Sequence, residues 1–138
     1  MITIYLTLTH SVGTWAKNAC ETYDLDMESL MFLAVEYCGK DVVKSLTDNG
    51  YARHNTIASP YYISVMFTET LHNMVQRLAK GTLFSISYIV NECLKYIKDH
   101  FEDFERWYDN QQLAHAEGIP GVPVTLKQRK EEKNNEND

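Results

Sequence analysis

The stretch Ile2-Thr3-Ile4-Tyr5-Leu6-Thr7-Leu8 decides the fold, because apolar and polar residues alternate through it without a break. A period of two places every second side chain on the same side of an extended chain, which is the pattern of a half-buried strand. After Thr9, an expected helix cap, apolar residues from Val12 to Ala19 recur at spacings of three and four. This spacing predicts a helix that ends near Tyr23. The chain therefore begins with a strand followed at once by a helix.

Residues 61–97 repeat this organisation. Tyr62-Ile63-Ser64-Val65-Met66-Phe67 alternates in the same way, Thr68 stands where a helix cap is expected, and an amphipathic stretch follows. The two copies match in character at a constant offset of 59 positions, which pairs Thr9 with Thr68. Because one unit alone cannot bury its strand, we predict that the two copies fold against each other. The alternative is an unrelated α+β domain whose elements fall into register by chance.

A second helix completes each unit. In the first copy it begins at Asp26 or Glu28, and Gly39 marks a possible irregularity in it. We expect a mostly α-helical fold with a short two-stranded antiparallel ribbon, whose buried side consists of Ile4, Leu6, Ile63, Val65 and Phe67. The predicted organisation is a first strand-helix-helix copy at 1–46, a turn-rich linker at 47–60, a second copy at 61–97, an acidic helical extension at 98–117 and a flexible tail at 118–138.

The formal charge of −6 is distributed unevenly along the chain. Three basic and seven acidic residues give −4 over residues 1–50, whereas four basic and two acidic residues give +2 over residues 51–97. Residues 98–117 hold two basic and six acidic residues, a net −4. A protein that grips duplex nucleic acid normally presents a basic face. Here only the second copy offers one.

Several classes of protein are not indicated. The 138 residues, 44% of them hydrophobic, suit one compact core, and no apolar stretch is as long as a membrane span. Cys20, Cys38 and Cys93 fit neither a disulfide framework nor a metal motif, and we expect three reduced, mostly buried thiols. The five histidines are scattered, and no phosphate-binding loop or nucleophile elbow is found. We therefore expect a cytoplasmic protein with no cofactor, metal, enzymatic activity or membrane partner.

Residues 62–97 resemble the ribbon-helix-helix superfamily, of the Arc and methionine-repressor type. The resemblance rests on the strand at 63–67, the helical segment at 71–79 and the segment at 84–94, whose spacing fits the family's unit without an insertion. Residues 2–38 resemble it more weakly. The resemblance implies that two units pair their strands into a ribbon whose outward side chains contact base edges in the major groove of double-stranded DNA. It also implies that the N-terminus of the second helix binds a phosphate.

Carried onto this chain, the resemblance gives a set of candidate DNA-binding residues. The outward strand positions are Thr3, Tyr5 and Thr7 in the first copy and Tyr62, Ser64 and Met66 in the second, and the candidates for phosphate contact are Ser85 and Ser87. This ribbon departs from the family's pattern because it presents no charged or amide side chain. At the matching residues 26–28, Asp26 and Glu28 would repel a phosphate and are interpreted as helix caps. Outward Thr and Tyr are also ordinary strand formers.

The acidic extension supplies a second candidate site. Its aromatic residues Phe101, Phe104, Trp107 and Tyr108 recur at helical spacing. Left exposed, they would form an aromatic patch of a kind that monomers rarely leave open, which predicts contact with a protein partner or with a second copy of the chain. Alternatively, the stripe folds back over the repeat and belongs to the core.

Two functional hypotheses follow. The first is a ribbon-helix-helix transcriptional regulator that binds DNA, with the style of the sequence and the composition of its tail suggesting a phage, plasmid or compact genome. The second is a protein-interaction module, for example an inhibitor or adaptor, that uses the acidic surface and the C-terminal helix. A basic face would discriminate between the two, because phosphate neutralisation supplies much of the affinity of DNA-binding proteins. Its weakness here counts against the first hypothesis.

Overall fold

A computed structural model describes residues 1–49, 60–116 and 125–136. Within these ranges the chain is mostly helical, with one two-stranded antiparallel sheet. The elements in chain order are β1 (Ile2–Thr9), α1 (His10–Tyr23), α2 (Met27–Asp48), β2 (Pro60–Phe67), α3 (Glu69–Ala79), α4 (Ile86–Asp99), α5 (Phe101–Ala116) and α6 (Leu126–Glu136). None of these helices is both long enough and apolar enough to cross a bilayer.

The sheet pairs the two predicted strands within one chain. β1 and β2 run antiparallel, with Ile2 opposite Phe67 and Thr9 opposite Pro60. The inward side chains that are buried are Leu6, Leu8, Val65 and Phe67, and Ile4 and Ile63 are partly buried against the same core. The antiparallel pairing and the inward orientation of these residues are confirmed. A slip of one residue would turn every one of these apolar side chains towards solvent, so the alternation fixes the register.

Helix starts follow the capping residues of the sequence. The capping side chains are Asp26 in α2, Thr68 in α3 and Ser85 in α4, each of which accepts a hydrogen bond from the backbone N–H three residues ahead. Thr9 occupies the predicted cap position of α1, but its side chain makes no capping bond. Its hydroxyl lies instead 3.3 Å from Asn91 Oδ1. A contact with α4 has thus replaced the local cap.

The core is built around the packing of α2 against α4. At their contact, Cys38 Sγ lies 3.6 Å from the Cys93 carbonyl oxygen. The irregularity predicted at Gly39 is wrong, because α2 continues through it without a break. A Cβ atom on Gly39 would lie 2.8 Å from Leu78 Cδ1. The glycine therefore allows α3 to approach α2 closely rather than interrupting the helix.

The acidic extension is not a continuation of the repeat's last helix. α4 ends at Asp99, and His100, with φ −127° and ψ 43°, separates it from α5. A non-helical residue at this point redirects the chain, and Phe104 and Tyr108 of α5 are buried. The single long helix predicted from the sequence is therefore two helices.

The tail prediction is wrong for residues 126–136, which form α6. Leu126 is 1% exposed, and Arg129 donates hydrogen bonds to the carbonyl oxygens of Tyr23 (2.9 Å) and Asp24 (2.6 Å). Carbonyl groups at the end of a helix such as α1 lack intrahelical partners, and a cation is favoured there. One apolar side chain and one arginine thus help to hold an otherwise polar segment in place. The rest of the predicted tail, residues 118–124, 137 and 138, and most of the predicted linker, 50–59, lie outside the described residues.

The attachment of α6 is testable by truncating its buried side chain. Leu126→Ala is expected to lower the free energy of unfolding by about 2–4 kcal/mol, because it removes buried methyl groups and leaves a cavity. Lys127→Ala, at the exposed neighbouring position, is the control and is expected to change stability by less than about 0.5 kcal/mol. Urea denaturation followed by circular dichroism measures both. Equal stabilities would contradict the packing of α6.

A second stability prediction concerns Gly13, which is buried in α1 against β2. A Cβ atom at Gly13 would lie 2.8 Å from Tyr61 Cβ, an atom close to the backbone. Gly13→Ala is therefore expected to cost about 1–3 kcal/mol through overpacking, despite the better helix propensity of alanine. Gly39→Ala should cost less, because Leu78 can move the end of its side chain. Thermal denaturation of the two variants decides the order, and a more stable Gly13→Ala protein would refute the close contact.

Candidate functional site

The outward side of the sheet forms a continuous exposed surface. The cross-strand pairs on it are Thr3 with Met66, Tyr5 with Ser64 and Thr7 with Tyr62. Tyr5 is 81% exposed and Tyr62 75%, whereas Thr7 is only half-buried at the end nearest α4. These six residues, which we call the ribbon face, have the outward orientation expected from the alternation of the sequence.

The ribbon face is uncharged but chemically mixed. Its Thr, Ser and Tyr hydroxyl groups can each donate and accept a hydrogen bond. The two tyrosine rings and Met66 add exposed apolar surface. The face can therefore form hydrogen bonds and apolar contacts, but it supplies no charge of its own to attract an ion.

Two side chains of α4 hold the open edge of β1. Ser87 Oγ accepts a hydrogen bond from Thr7 N at 3.1 Å, and Asn91 Oδ1 accepts one from Thr9 N at 2.9 Å. Ser87 and Asn91 are four residues apart and so lie on the same side of the helix. Strand edges expose unpaired N–H groups, and these two are satisfied by α4.

Sequence reasoning missed this contact. Ser87 was predicted to contact a phosphate; its oxygen accepts a hydrogen bond from the backbone of β1, which leaves its O–H hydrogen and one lone pair for other partners. Asn91 was not singled out, although an amide residue within the buried side of an amphipathic helix is a signal for a specific partner. Ser85, the other phosphate candidate, is exposed and caps α4. The first turn of α4 holds no acidic residue.

The corresponding end of α2 is acidic, and its acids have structural partners. The hydrogen bonds that Asp26 accepts from Ser29 hold the pKa of this carboxyl below its usual value. Glu28 Oε1 accepts a hydrogen bond from Thr68 Oγ1 at 2.9 Å. The capping interpretation of Asp26 is confirmed, whereas Glu28 links α2 to the start of α3. Both carboxylates disfavour a phosphate at this end of the sheet.

The thiols offer no reactive centre. Cys38 and Cys93 are buried, Cys20 is half-buried, and all three are free, as expected from the sequence. Burial, together with the nearby charges of Asp26 and Glu21, raises the pKa of Cys20 to about 11. A hydrogen bond with Cys38 and burial also raise the pKa of Cys93. Since the thiolate is the nucleophile and the metal ligand, these shifts keep Cys20 and Cys93 inert at neutral pH.

The aromatic stripe of α5 packs against the rest of the chain. Phe104 is 1% exposed, and its ring centroid lies 5.5 Å from that of Tyr37 in α2. Phe101 stacks on Tyr23 of α1 at 5.6 Å, and Trp107 lies 5.1 Å from Tyr37. This arrangement is the alternative given above, a stripe that folds back over the repeat. In this conformation Phe104 and the buried Tyr108 present no surface to a partner.

No metal centre accompanies these surfaces in the part of the chain that the structure describes. Within it, no group of three or more His, Cys, Asp or Glu side chains is placed to hold a metal ion. Because Phe104 and Tyr108 are buried, the ribbon face is more exposed than the predicted site on α5.

The placement of Phe104 leads to a direct test. Phe104→Ala is expected to lower the free energy of unfolding by about 3–5 kcal/mol, the usual cost of removing a buried aromatic ring. Arg106→Ala, at an exposed position on the same helix, is the matched control and should have a small effect. Urea denaturation and light scattering together separate the two placements of the stripe. Dissociation of an oligomer by Phe104→Ala with unchanged monomer stability would show that the stripe is an intermolecular contact.

Comparison with protein-family models, with curated proteins and with solved structures finds no match to this chain. Its function must therefore be inferred from its own residues and their arrangement.

Proposed function

We propose that this chain is a transcriptional regulator of the ribbon-helix-helix type, whose ribbon face binds the major groove of double-stranded DNA. The observation that carries the proposal is the exposure of the ribbon face, with Tyr5 and Tyr62 projecting from a sheet whose opposite side is core. A two-stranded ribbon is narrow enough to enter the major groove, where base edges can be read directly.

The arrangement of the helices supports a tandem pair of units. The N-caps Thr9 and Thr68 are 59 positions apart, and so are Asp26 and Ser85. In two contacts between the units the helix residues follow the same offset, although their partners, Thr68 and Thr7, do not. Glu28 of α2 bonds to the second unit, and Ser87 of α4, 59 positions further on, bonds to the first. Such reciprocal contacts are typical of two like units related by an approximate twofold axis. The acidic helix α5 then extends this pair and covers part of its core.

The ribbon face has chemistry suited to reading bases without charge. Hydroxyl groups such as those of Thr3 and Ser64 can donate to guanine or thymine oxygens and accept from exocyclic amino groups. Met66 and the tyrosine rings can contact the methyl group of thymine. The face therefore favours direct readout over phosphate attraction.

The distribution of charge favours phosphate contacts on the second unit. α4 starts without an acidic residue, whereas α2 carries Glu28 in its first turn and Asp26 at its cap. The free N–H groups at the start of α4 and the basic residues of its half are the groups that favour an anion. Because the whole chain carries −6, its DNA affinity should depend weakly on salt compared with that of basic repressors.

The proposal predicts that the double variant Tyr5→Ala/Tyr62→Ala loses DNA binding without losing stability. Selection from a random duplex pool, followed by fluorescence anisotropy at low and moderate salt, supplies the target and the affinity. The variant should bind the selected duplex about tenfold or more weakly, because two contacts with the bases are removed. Tyr96→Ala, which removes an exposed tyrosine at the opposite end of α4, is the matched control and should bind as the unmodified protein does.

The controls define what would overturn the proposal. Failure to select any duplex at low salt would exclude DNA binding by this chain. If the double variant Tyr5→Ala/Tyr62→Ala bound a selected duplex as tightly as the unmodified protein does, the protein would bind DNA but not through the ribbon face. Melting curves of each variant guard against loss of fold.

Protein recognition through the same face is the second candidate, and one observation favours it. The ribbon face combines exposed tyrosines and a methionine with no charged residue, and the centres of protein interfaces show this composition. An inhibitor or adaptor of this kind would bind a protein and no duplex. The selection experiment above therefore separates the two functions.

A further inference from the structure

A cavity of about 400 Å³ lies between the C-terminal halves of α2 and α4. It is at the opposite end of α4 from Ser87, which contacts the ribbon. Its floor is apolar, with Val42 and Leu46 from α2 and the ring of Tyr96 from α4. The volume falls in the range of pockets that hold small organic molecules.

The rim of this cavity is negative. Asp41 of α2 and Glu92 and Asp99 of α4 line it, against a single basic residue, Lys95. Asp41, Asp99 and Lys95 are exposed, and none of the ion pairs formed among the described residues includes them. The end of α4, at Asp99, adds the partial negative charge of its terminal carbonyl groups. An anionic ligand would be repelled here, and a cation would be attracted.

Tyr96 and His100 give the cavity an aromatic wall of defined orientation. The rings stack with centroids 4.2 Å apart, and Tyr96 remains 38% exposed. His100 Nδ1 lies 3.0 Å from the Tyr96 carbonyl oxygen, and because a carbonyl only accepts, Nδ1 carries a hydrogen. In the neutral imidazole, Nε2 is then left as an acceptor. An ammonium group can be held by such acceptors, by carboxylates and by the face of a tyrosine ring.

We propose that this cavity binds a small organic cation, a primary amine carried on an apolar body. The apolar part contacts Val42 and Leu46, and the ammonium group lies among the carboxylates of Asp41, Glu92 and Asp99. This site is separate from the ribbon face and does not depend on the function proposed for it. Three properties of the cavity together define the ligand, namely its size, its apolar floor and the excess of carboxylates at its rim.

The test uses three probes of the same shape with different charge. 2-Phenylethylamine, a cation at pH 7, should produce saturable shifts of the backbone amide signals of residues 41–46 and 92–100 in nuclear magnetic resonance titrations at millimolar concentrations. 2-Phenylethanol, which is neutral, should bind at least about threefold more weakly, since it lacks the charge interaction. Phenylacetate should bind more weakly still. Equal binding of the amine and phenylacetate, or no saturable shift with the amine, would overturn the proposal.

Substitutions then assign the charge preference to the cavity. Asp41→Asn and Asp99→Asn are each expected to weaken binding of the amine by about threefold to fivefold, the scale of a partly exposed ion pair. Glu21→Gln on α1 removes the same charge from an exposed position that does not line the cavity, and it should leave binding unchanged. Ser45→Phe, which fills the cavity from an exposed position, should abolish the shifts. If Glu21→Gln weakened binding as much as Asp41→Asn, the amine would be held by the net charge of the protein alone and the site would be excluded.

Discussion

The pairing of β1 with β2 is the constraint on which the rest of the structure depends. Thr9 lies opposite Pro60, so the chain between them, which contains α1 and α2, must close into a loop for the two strands to pair. Closing such a loop costs conformational entropy, and an isolated two-stranded ribbon is marginally stable in water. Burial compensates for this cost, because inward residues such as Leu8 and Phe67 are fully buried under the helices. The ribbon and the α2–α4 core therefore depend on each other, and neither is expected to form alone.

Side chains of α4 make the ribbon a fixed part of this core. Ser87 and Asn91 bond to backbone N–H groups on the open edge of β1, so the strand is held on one side by β2 and on the other by a helix. An edge satisfied in this way does not pair freely with another strand. The two hydrogen bonds to β1 also fix the orientation of the residues on the ribbon face. A preorganised surface of this kind loses less conformational freedom when it binds a partner. The hydrogen bond of Ser87 thus links the core to the ribbon face, although Ser87 need not touch a ligand.

Local patterns in the sequence predicted the local structure. Strict alternation was enough to orient Tyr5 and Tyr62 outward, and the capping residues Asp26 and Thr68 marked the helix starts. The features that were missed depend on distant partners: Ser87 meets a strand residue 80 positions away, and Arg129 meets the end of α1. Amphipathic spacing shows that one side of a helix is apolar, but it does not show what covers that side. For this reason the stripe containing Phe104 had two possible placements. The break at His100 gave no signal either, because neither glycine nor proline is present there.

The two strands of the ribbon present different outward side chains, and this limits what the ribbon face can bind. A symmetric dimer of identical chains presents the same residues twice and matches a target with twofold symmetry. Here the outward residues Thr3, Tyr5 and Thr7 of β1 lie beside Met66, Ser64 and Tyr62 of β2. Opposite halves of the face therefore differ in size and polarity. The flanking charges differ as well, since α2 starts with acids and α4 does not. A target that complements both strands is therefore expected to be asymmetric, whether it is DNA or protein. For the DNA binding proposed above, we expect a single non-palindromic site bound in one orientation, with most of the phosphate contacts in the half nearest α4.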